Sequence, residues 1–201
     1  MLSRSEAQEK MRDLRDMAKT LGVEEICEPL FMDVSFYQHS ASGHSNQHHY
    51  GLHGLLEHTW EVVKSSEEMA KFHGKYKINR KVLFLAALFH DYGKTYDYIQ
   101  CGENDWKKTE HARKVHHITR SVLLFQKSVD IHYQLCQEEQ LKDIEITEAE
   151  AYEVTHCILS HHGRREWGSP VAPNTREAFI LHYCDGISAR LYDCETLDRL
   201  D

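Results

Sequence analysis

Between Asn79 and Lys94 the chain reads NRKVLFLAALFHDYGK, an almost unbroken apolar run that ends on a histidine and an aspartate side by side. Val82, Leu83, Leu85, Ala86 and Leu88 recur at helical spacing and Asn79 is a good N-cap, so the run is expected to be a helix leading to His90. Ionisable groups carried into an apolar interior cost several kcal/mol unless they are paired or bind a metal. The pair His90-Asp91 is therefore hard to explain as packing. Gly93 suits a helix C-terminus where the chain must turn, and Lys94 follows as a point charge suited to a phosphate.

The rest of the chain carries the same helical signature. Only three prolines occur among 201 residues, and β-branched alternation is scarce. Met11, Leu14, Met17, Ala18 and Leu21 mark a helix over 5–21 that Gly22 ends. That stripe reads as core packing or as a self-association face, which leaves a homo-oligomer open. Residues 38–51, QHSASGHSNQHHYG, read as a loop, and a helix follows over about 54–72. Residues 99–108 form a connecting loop or a short hairpin. A long helix is expected over 109–128 and another segment over 129–141. Thr147 with Glu150 forms a capping box for a helix reaching Ser160, and Asn174 with Glu177 can cap a last helix running past Asp185 to about Thr196. The expectation is one all-α domain over 1–201, a compact bundle of six to eight helices with an N-terminal helix and loop over 1–45.

Composition narrows the function classes. The apolar fraction is 41% and the charged fraction 28%, ordinary for a soluble globular protein. No apolar run approaches the length of a membrane span, and the charged N-terminus MLSRSEAQEKMRDLRD lacks a signal-peptide core, so a cytoplasmic location is expected. Cys27, Cys101, Cys136, Cys157, Cys184 and Cys194 include no CxxC pair, which argues for free thiols rather than a zinc ribbon or disulfide framework. A net charge of −8 disfavours a long nucleic-acid groove and suits a small or short phosphorylated substrate.

Sixteen histidines are the unusual count, and their placement is informative. His58 lies in GLLEHTWEVV, His117 in KVHHITRSVLLF, His161 and His162 in ILSHHG, and Asp185 in ILHYCDGIS. Each is a metal-ligand residue type inside or beside an apolar helical stretch. Any one alone is more often a satisfied core histidine or a capped carboxylate. Five such features in one small helical domain are better explained by a shared metal centre.

The order H…HD…H…HH…D with HDxGK resembles the HD superfamily of metal-dependent phosphohydrolases. GLLEHT, AALFHDYGK, HHITRS, ILSHHG followed by EWGSPVAPNTREA, and LHYCD resemble the catalytic domain of YhaM-type 3′-to-5′ exoribonucleases and phage-borne relatives. The resemblance spans about 45–195. After His162 the chain reads GRREWGSP, so the GYP triplet of cyclic-dinucleotide HD-GYP enzymes is absent.

Carried over motif by motif, the resemblance implies an HD-domain bundle with two metal ions bridged by Asp91. His58, His90 and Asp185 would hold one ion, and His117, His161 and His162 the other. His116 competes with His117, which is preferred because it matches the single histidine of the family's GHI pattern. Mn or Fe is expected, with Co, Ni or Zn also suited to these ligands. Two such ions activate water and clamp the attacking and leaving oxygens of phosphoryl transfer. Asp91 and Lys94 would be catalytic, Lys94 neutralising charge on a phosphoryl oxygen. Lys94, Arg164, Arg165, Trp167 and His49 are the candidate substrate contacts, with Trp167 able to stack on a base. The expected activity is a phosphodiesterase or nuclease acting on short single-stranded nucleic acid or a small cyclic nucleotide. The alternatives are a nucleoside monophosphate phosphomonoesterase and an HD-fold di-iron oxygenase.

Overall fold

The computed structural model describes residues 2–102, 105–138, 140–141 and 143–198, with 194–198 described by backbone alone. Its first helix, α1 (Arg4–Leu21), starts from a capping box between Ser3 and Glu6 and stops where Gly22 takes the left-handed conformation at φ 65°. Leu14 and Ala18 are fully buried, so the Met11–Leu21 stripe packs into the core. Two helices that the sequence reading did not register follow, α2 (Glu24–Phe31) and α3 (Val34–Gln38), so residues 1–45 hold three helices and not one. Asp33 caps α3 by accepting from the Ser35 N–H, and its second carboxylate oxygen accepts from the Tyr92 hydroxyl at 2.8 Å.

A loop over 39–53 carries the histidine-rich segment to α4 (Gly54–Phe72). Asn79 then caps α5 (Arg80–Phe89) through its side-chain oxygen, as its position suggested. Every residue from Val82 to Phe89 is buried, and α4, α8, α9 and α10 all pack against this helix once the chain is complete. Each large apolar side chain so buried contributes about 1.5–3 kcal/mol. Helix α5 is therefore the axis of the bundle, and its C-terminal end delivers His90 and Asp91 to the interior.

Gly93 lies in the turn that follows α5, as expected. Its backbone is right-handed, φ −61° and ψ −16°, and it does not reverse the chain in the left-handed region. It is required for close approach: a Cβ there would run into the His117 carbonyl oxygen and the Ser121 nitrogen. The one-turn helix α6 (Lys94–Asp97) leads into a hairpin of β1 (Tyr98–Gln100) and β2 (Trp106–Lys108), antiparallel with Ile99 opposite Lys107.

The helix expected over 109–128 is broken. It is split into α7 (Glu110–Lys114) and α8 (His117–Gln137), with His116 between them at φ 68°. His117 is thus the first residue of a helix and not a mid-helix position, while 129–137 continues α8. Thr147 and Glu150 form the expected box at α9 (Glu148–Ser160). The last helix, α10 (Arg176–Asp198), is capped by Thr175, whose hydroxyl accepts from the Ala178 N–H. The expected caps do other work. Glu177 accepts from the Asn79 N–H at 2.6 Å, and the Asn174 N–H donates to His156.

Seven of these helices have eight residues or more, and the fold is all-α apart from the hairpin. Among the described residues no helix is long and apolar enough to cross a membrane. Cys27, Cys101, Cys136, Cys157 and Cys184 are free thiols, and the Cys194 side chain lies outside the described residues.

Candidate metal centre

Four helices converge where α5 ends. His58 comes from the buried face of α4, His90 and Asp91 from the end of α5, His117 from the start of α8, His161 and His162 from the end of α9, and Asp185 from α10. Their ligand atoms gather on the two sides of the Asp91 carboxylate. Oδ2 lies 3.3 Å from His58 Nε2 and 3.4 Å from His90 Nε2, while Asp185 Oδ1 lies 3.1 Å from His58 Nε2. Oδ1 faces the other way, 3.4 Å from His117 Nε2 and 3.7 Å from His161 Nε2. Two groups of ligand atoms close enough to share an ion flank Asp91, His58, His90, Asp91 and Asp185 on one side and His117, His161 and His162 on the other, and a third, His48, His49 and His58, shares His58 with the first.

Each imidazole is oriented by its far nitrogen. His90 Nδ1 donates to the Ala87 carbonyl at 2.8 Å and His161 Nδ1 to the Ile158 carbonyl at 2.7 Å. His162 Nδ1 donates to the Trp167 carbonyl at 2.9 Å, and His117 Nδ1 lies 3.3 Å from Asp97 Oδ2. His58 Nδ1 donates to the Ser188 hydroxyl, which in turn donates a hydrogen bond to Glu61 at 2.7 Å. All five rings therefore present Nε2 to the centre, the arrangement by which supporting groups fix metal-binding histidines.

The donor set fits a cation. With Nδ1 donating to Asp97, neutral His117 turns the Nε2 lone pair towards Asp91 Oδ1, so two acceptors face each other across 3.4 Å. Asp91 Oδ1, His117 Nε2 and His161 Nε2 are buried with no hydrogen-bond partner. Each such group left unsatisfied costs about 1–3 kcal/mol. Divalent transition-metal ions would satisfy all three, and the imidazole and carboxylate donors are of the type those ions take.

The electrostatics fit the same account. Burial opposes the charge on Asp91, but the Lys94 ammonium at 2.6 Å and the neighbouring His90 and His58 hold its carboxyl well below the ordinary range. Burial pushes His117 down to about 4, so it is neutral at pH 7. Burial also acts to lower His58, but hydrogen bonds to Asp185 and Asp91 outweigh it and raise the ring to about 9.

Lys94 is buried against Asp91 and lies inside the centre. His49 is buried behind His58, its Nε2 donating to Glu61 at 3.1 Å, with ring centroids 5.1 Å apart. It packs as a supporting residue. His48, from the same loop, also stacks on His58 at 5.1 Å, and burial holds its ring down to about 2. His116 stands exposed at the rim, 4.2 Å from the His117 ring, and His117 alone of the two joins the ligand group. Arg164, Arg165 and Trp167 are exposed, and the Arg164 guanidinium lies 5.0 Å over the Trp167 ring.

Sequence reasoning missed Asp97, Glu61 and Ser188. Asp97 is nearly buried, accepts from the His117 backbone N–H at 3.0 Å, and takes His111 Nδ1 on its other oxygen at 2.8 Å. The signal available was a carboxylate six residues after Asp91 in a segment returning to the HHITRS histidines. Glu61 and Ser188 lie one turn from His58 and Asp185, on the same helix faces.

Comparison with known proteins finds relatives over most of the chain. The chain is 28% identical to the 3′-5′ exoribonuclease YhaM of Bacillus subtilis (strain 168) over 147 residues, 73% of this chain and 42% of that one. With the protein of the same name from Listeria monocytogenes the identity is 30% over 156 residues, 78% of this chain and 44% of the relative. The chain thus spans less than half the length of the curated relatives it matches. No solved structure matches. The HD-domain profile covers residues 55–190, from the start of α4 to the described end of the site on α10, and the chain belongs to the HD-domain family.

Proposed function

We propose that this protein is a metal-dependent phosphodiesterase that hydrolyses short single-stranded nucleic acid or a small, including cyclic, nucleotide. The observation that carries the reading is the Asp91 carboxylate with one oxygen turned to each ligand group, Oδ2 to His58 and His90, Oδ1 to His117 and His161. Two ions of Mn or Fe would be held by His58, His90 and Asp185 on one side, His117, His161 and His162 on the other, and Asp91 between them. When bound, such a pair supplies an activated water and a clamp on the phosphoryl oxygens.

The chain's own groups do the rest. Lys94, fixed by Asp91, offers its remaining N–H bonds to a non-bridging phosphoryl oxygen and neutralises charge developing there. Asp97, Ser188 and the α5 and α9 carbonyls keep the imidazoles oriented through the reaction. Burial of Lys94, His58 and Asp91 excludes bulk water from the reacting side, which strengthens each of these interactions. The YhaM relatives carry the name of a 3′-5′ exoribonuclease, which makes RNA trimmed from its 3′ end the first polymer to offer.

The test is Mn²⁺-supported hydrolysis of bis(p-nitrophenyl) phosphate, wild type against Asp91→Ala. Turnover that disappears in the variant, on protein with unchanged helical content, supports the reading. A wild type that binds metal but cleaves no diester would overturn it and favour a phosphomonoesterase or oxygen-dependent chemistry.

A further inference from the structure

Beside His161 and His162 the fold leaves a cleft of about 550 Å³ that also takes in Asp185, Trp167 and the outer face of α10. Tyr183, Ile187 and Leu191 recur every four residues along that helix and share the face. They are 60%, 45% and 64% exposed, and Trp167 is 55% exposed. Apolar side chains left in water around a concave site that shares three ligand residues with the centre form a surface for the apolar part of a ligand. One end of anything lying there reaches His161, His162 and Asp185.

Gly186 points the same way. It sits inside α10 next to Asp185, where glycine is less favourable than alanine. A Cβ at this position would meet nothing within 4 Å. No packing constraint explains the glycine, and its effect is to leave the cleft open at the step adjoining a ligand residue. Arg190 lines the far side, and the Arg164 guanidinium lies over Trp167, so cationic groups flank an aromatic wall.

We propose that this cleft seats a nucleobase of the substrate, with Trp167 and Tyr183 as stacking faces and Gly186 leaving the space the base occupies. The assignment rests on the phosphodiesterase reading, since the phosphate of the same nucleotide is then held beside Lys94 and Asp91. Stacking faces accept every base, so the cleft selects nucleoside esters over esters with no nucleoside and discriminates little among bases. Tyr183, Ile187 and Leu191 become binding residues for the reaction without touching the reacting atoms.

The experiment compares two Mn²⁺-supported substrates with the same leaving group, thymidine 5′-(p-nitrophenyl phosphate) and bis(p-nitrophenyl) phosphate. It is run on wild type, Gly186→Leu and Trp167→Ala. Gly186→Leu places its side chain in open space, and Trp167 is already exposed, so both variants are expected to fold. The ratio of kcat/KM between the nucleoside ester and the base-free ester should fall about tenfold in each variant, through KM. A ratio unchanged in both overturns the base-seating inference and leaves the phosphodiesterase reading intact. If wild type cleaves neither ester, the phosphodiesterase reading fails, and calorimetry of thymidine 5′-monophosphate on Mn²⁺-treated protein decides the inference. Binding weakened about tenfold by Gly186→Leu upholds it, and binding that is equal in the two proteins, or absent in wild type, overturns it.

Discussion

Asp97 holds His117 at two points: its Oδ2 accepts from the His117 backbone N–H at 3.0 Å and lies 3.3 Å from the Nδ1 of the same residue. One carboxylate thereby caps the first turn of α8 and fixes the tautomer of the histidine that opens it. The negative charge at a helix N-terminus is favourable in its own right. The second oxygen of Asp97 is held by His111, whose Nε2 accepts from Arg120, so the arrangement is braced from both sides.

Asp97→Asn should therefore weaken one ion and spare the other. The amide can accept from the backbone N–H or from Nδ1, but it brings no charge and leaves the ring free to turn. Affinity at the His117, His161 and His162 group is expected to fall about 10–100-fold, the range found for supporting groups of metal ligands. Metal stoichiometry by mass spectrometry after dialysis should drop from about two to about one. Equal loss of both ions, or of neither, counts against a selective role.

The caps of α5 and α9, the apolar spacing of α5 and the ordered ligand types were legible because each is written within a few residues, whereas α10 is capped by Thr175 and not by the expected Asn174. Asn79, and Thr147 with Glu150, stand where the sequence put them. What was not legible depends on distant partners. Asp97 acts on a backbone N–H twenty residues away, and the break at His116 serves to bring that N–H to it. Gly93 was legible as a turn residue, but not its close approach to α8, because that helix is remote in sequence. The α2 and α3 segments are short, and α2 contains Pro29, so their periodicity is weak.

Metal uptake should release a proton. In the metal-free chain His58 is raised to about 9 by Asp185 and Asp91, against the opposing effect of burial, so it is charged at pH 7.5. A ligand nitrogen must be neutral, and binding therefore expels that proton. His117, pushed by burial down to about 4, is neutral already and releases none in this window. Apparent Mn²⁺ affinity should rise by up to about tenfold per pH unit from 6.5 towards 9 and level off above. Calorimetry at pH 7.5 in two buffers of different ionisation enthalpy should read about one proton released for the ion at His58. A heat independent of buffer would show that His58 is not the proton donor.

Lys94 separates binding from turnover. Its ammonium sits 2.6 Å from Asp91 Oδ2, on the oxygen shared with His58 and His90. Lys94→Met keeps the buried stem and removes the charge, so a competitor for that oxygen is lost along with the partner of the phosphoryl group. Metal affinity should hold or rise, while kcat for the diester falls about 10²–10³-fold, the usual effect of deleting one charge-stabilising donor. A variant with wild-type kcat would assign Lys94 to packing alone.

Gly93 tests whether the centre depends on the approach of two helices. A methyl group there would meet the His117 carbonyl oxygen, Arg120 Cβ and the Ser121 nitrogen, while the Gly93 N–H donates to the Ser121 hydroxyl at 2.8 Å. The backbone conformation itself suits alanine, so Gly93→Ala introduces no torsional strain and acts only by pushing α8 away. Overpacking of this kind costs about 1–3 kcal/mol. The displaced group is the first turn of α8, and its first residue is His117, so the loss should be larger for metal than for fold. Thermal unfolding of metal-free protein should shift by a few degrees, while the ion at His117, His161 and His162 is lost first. If both ions stay bound at wild-type affinity, the α6–α8 contact does not position the centre.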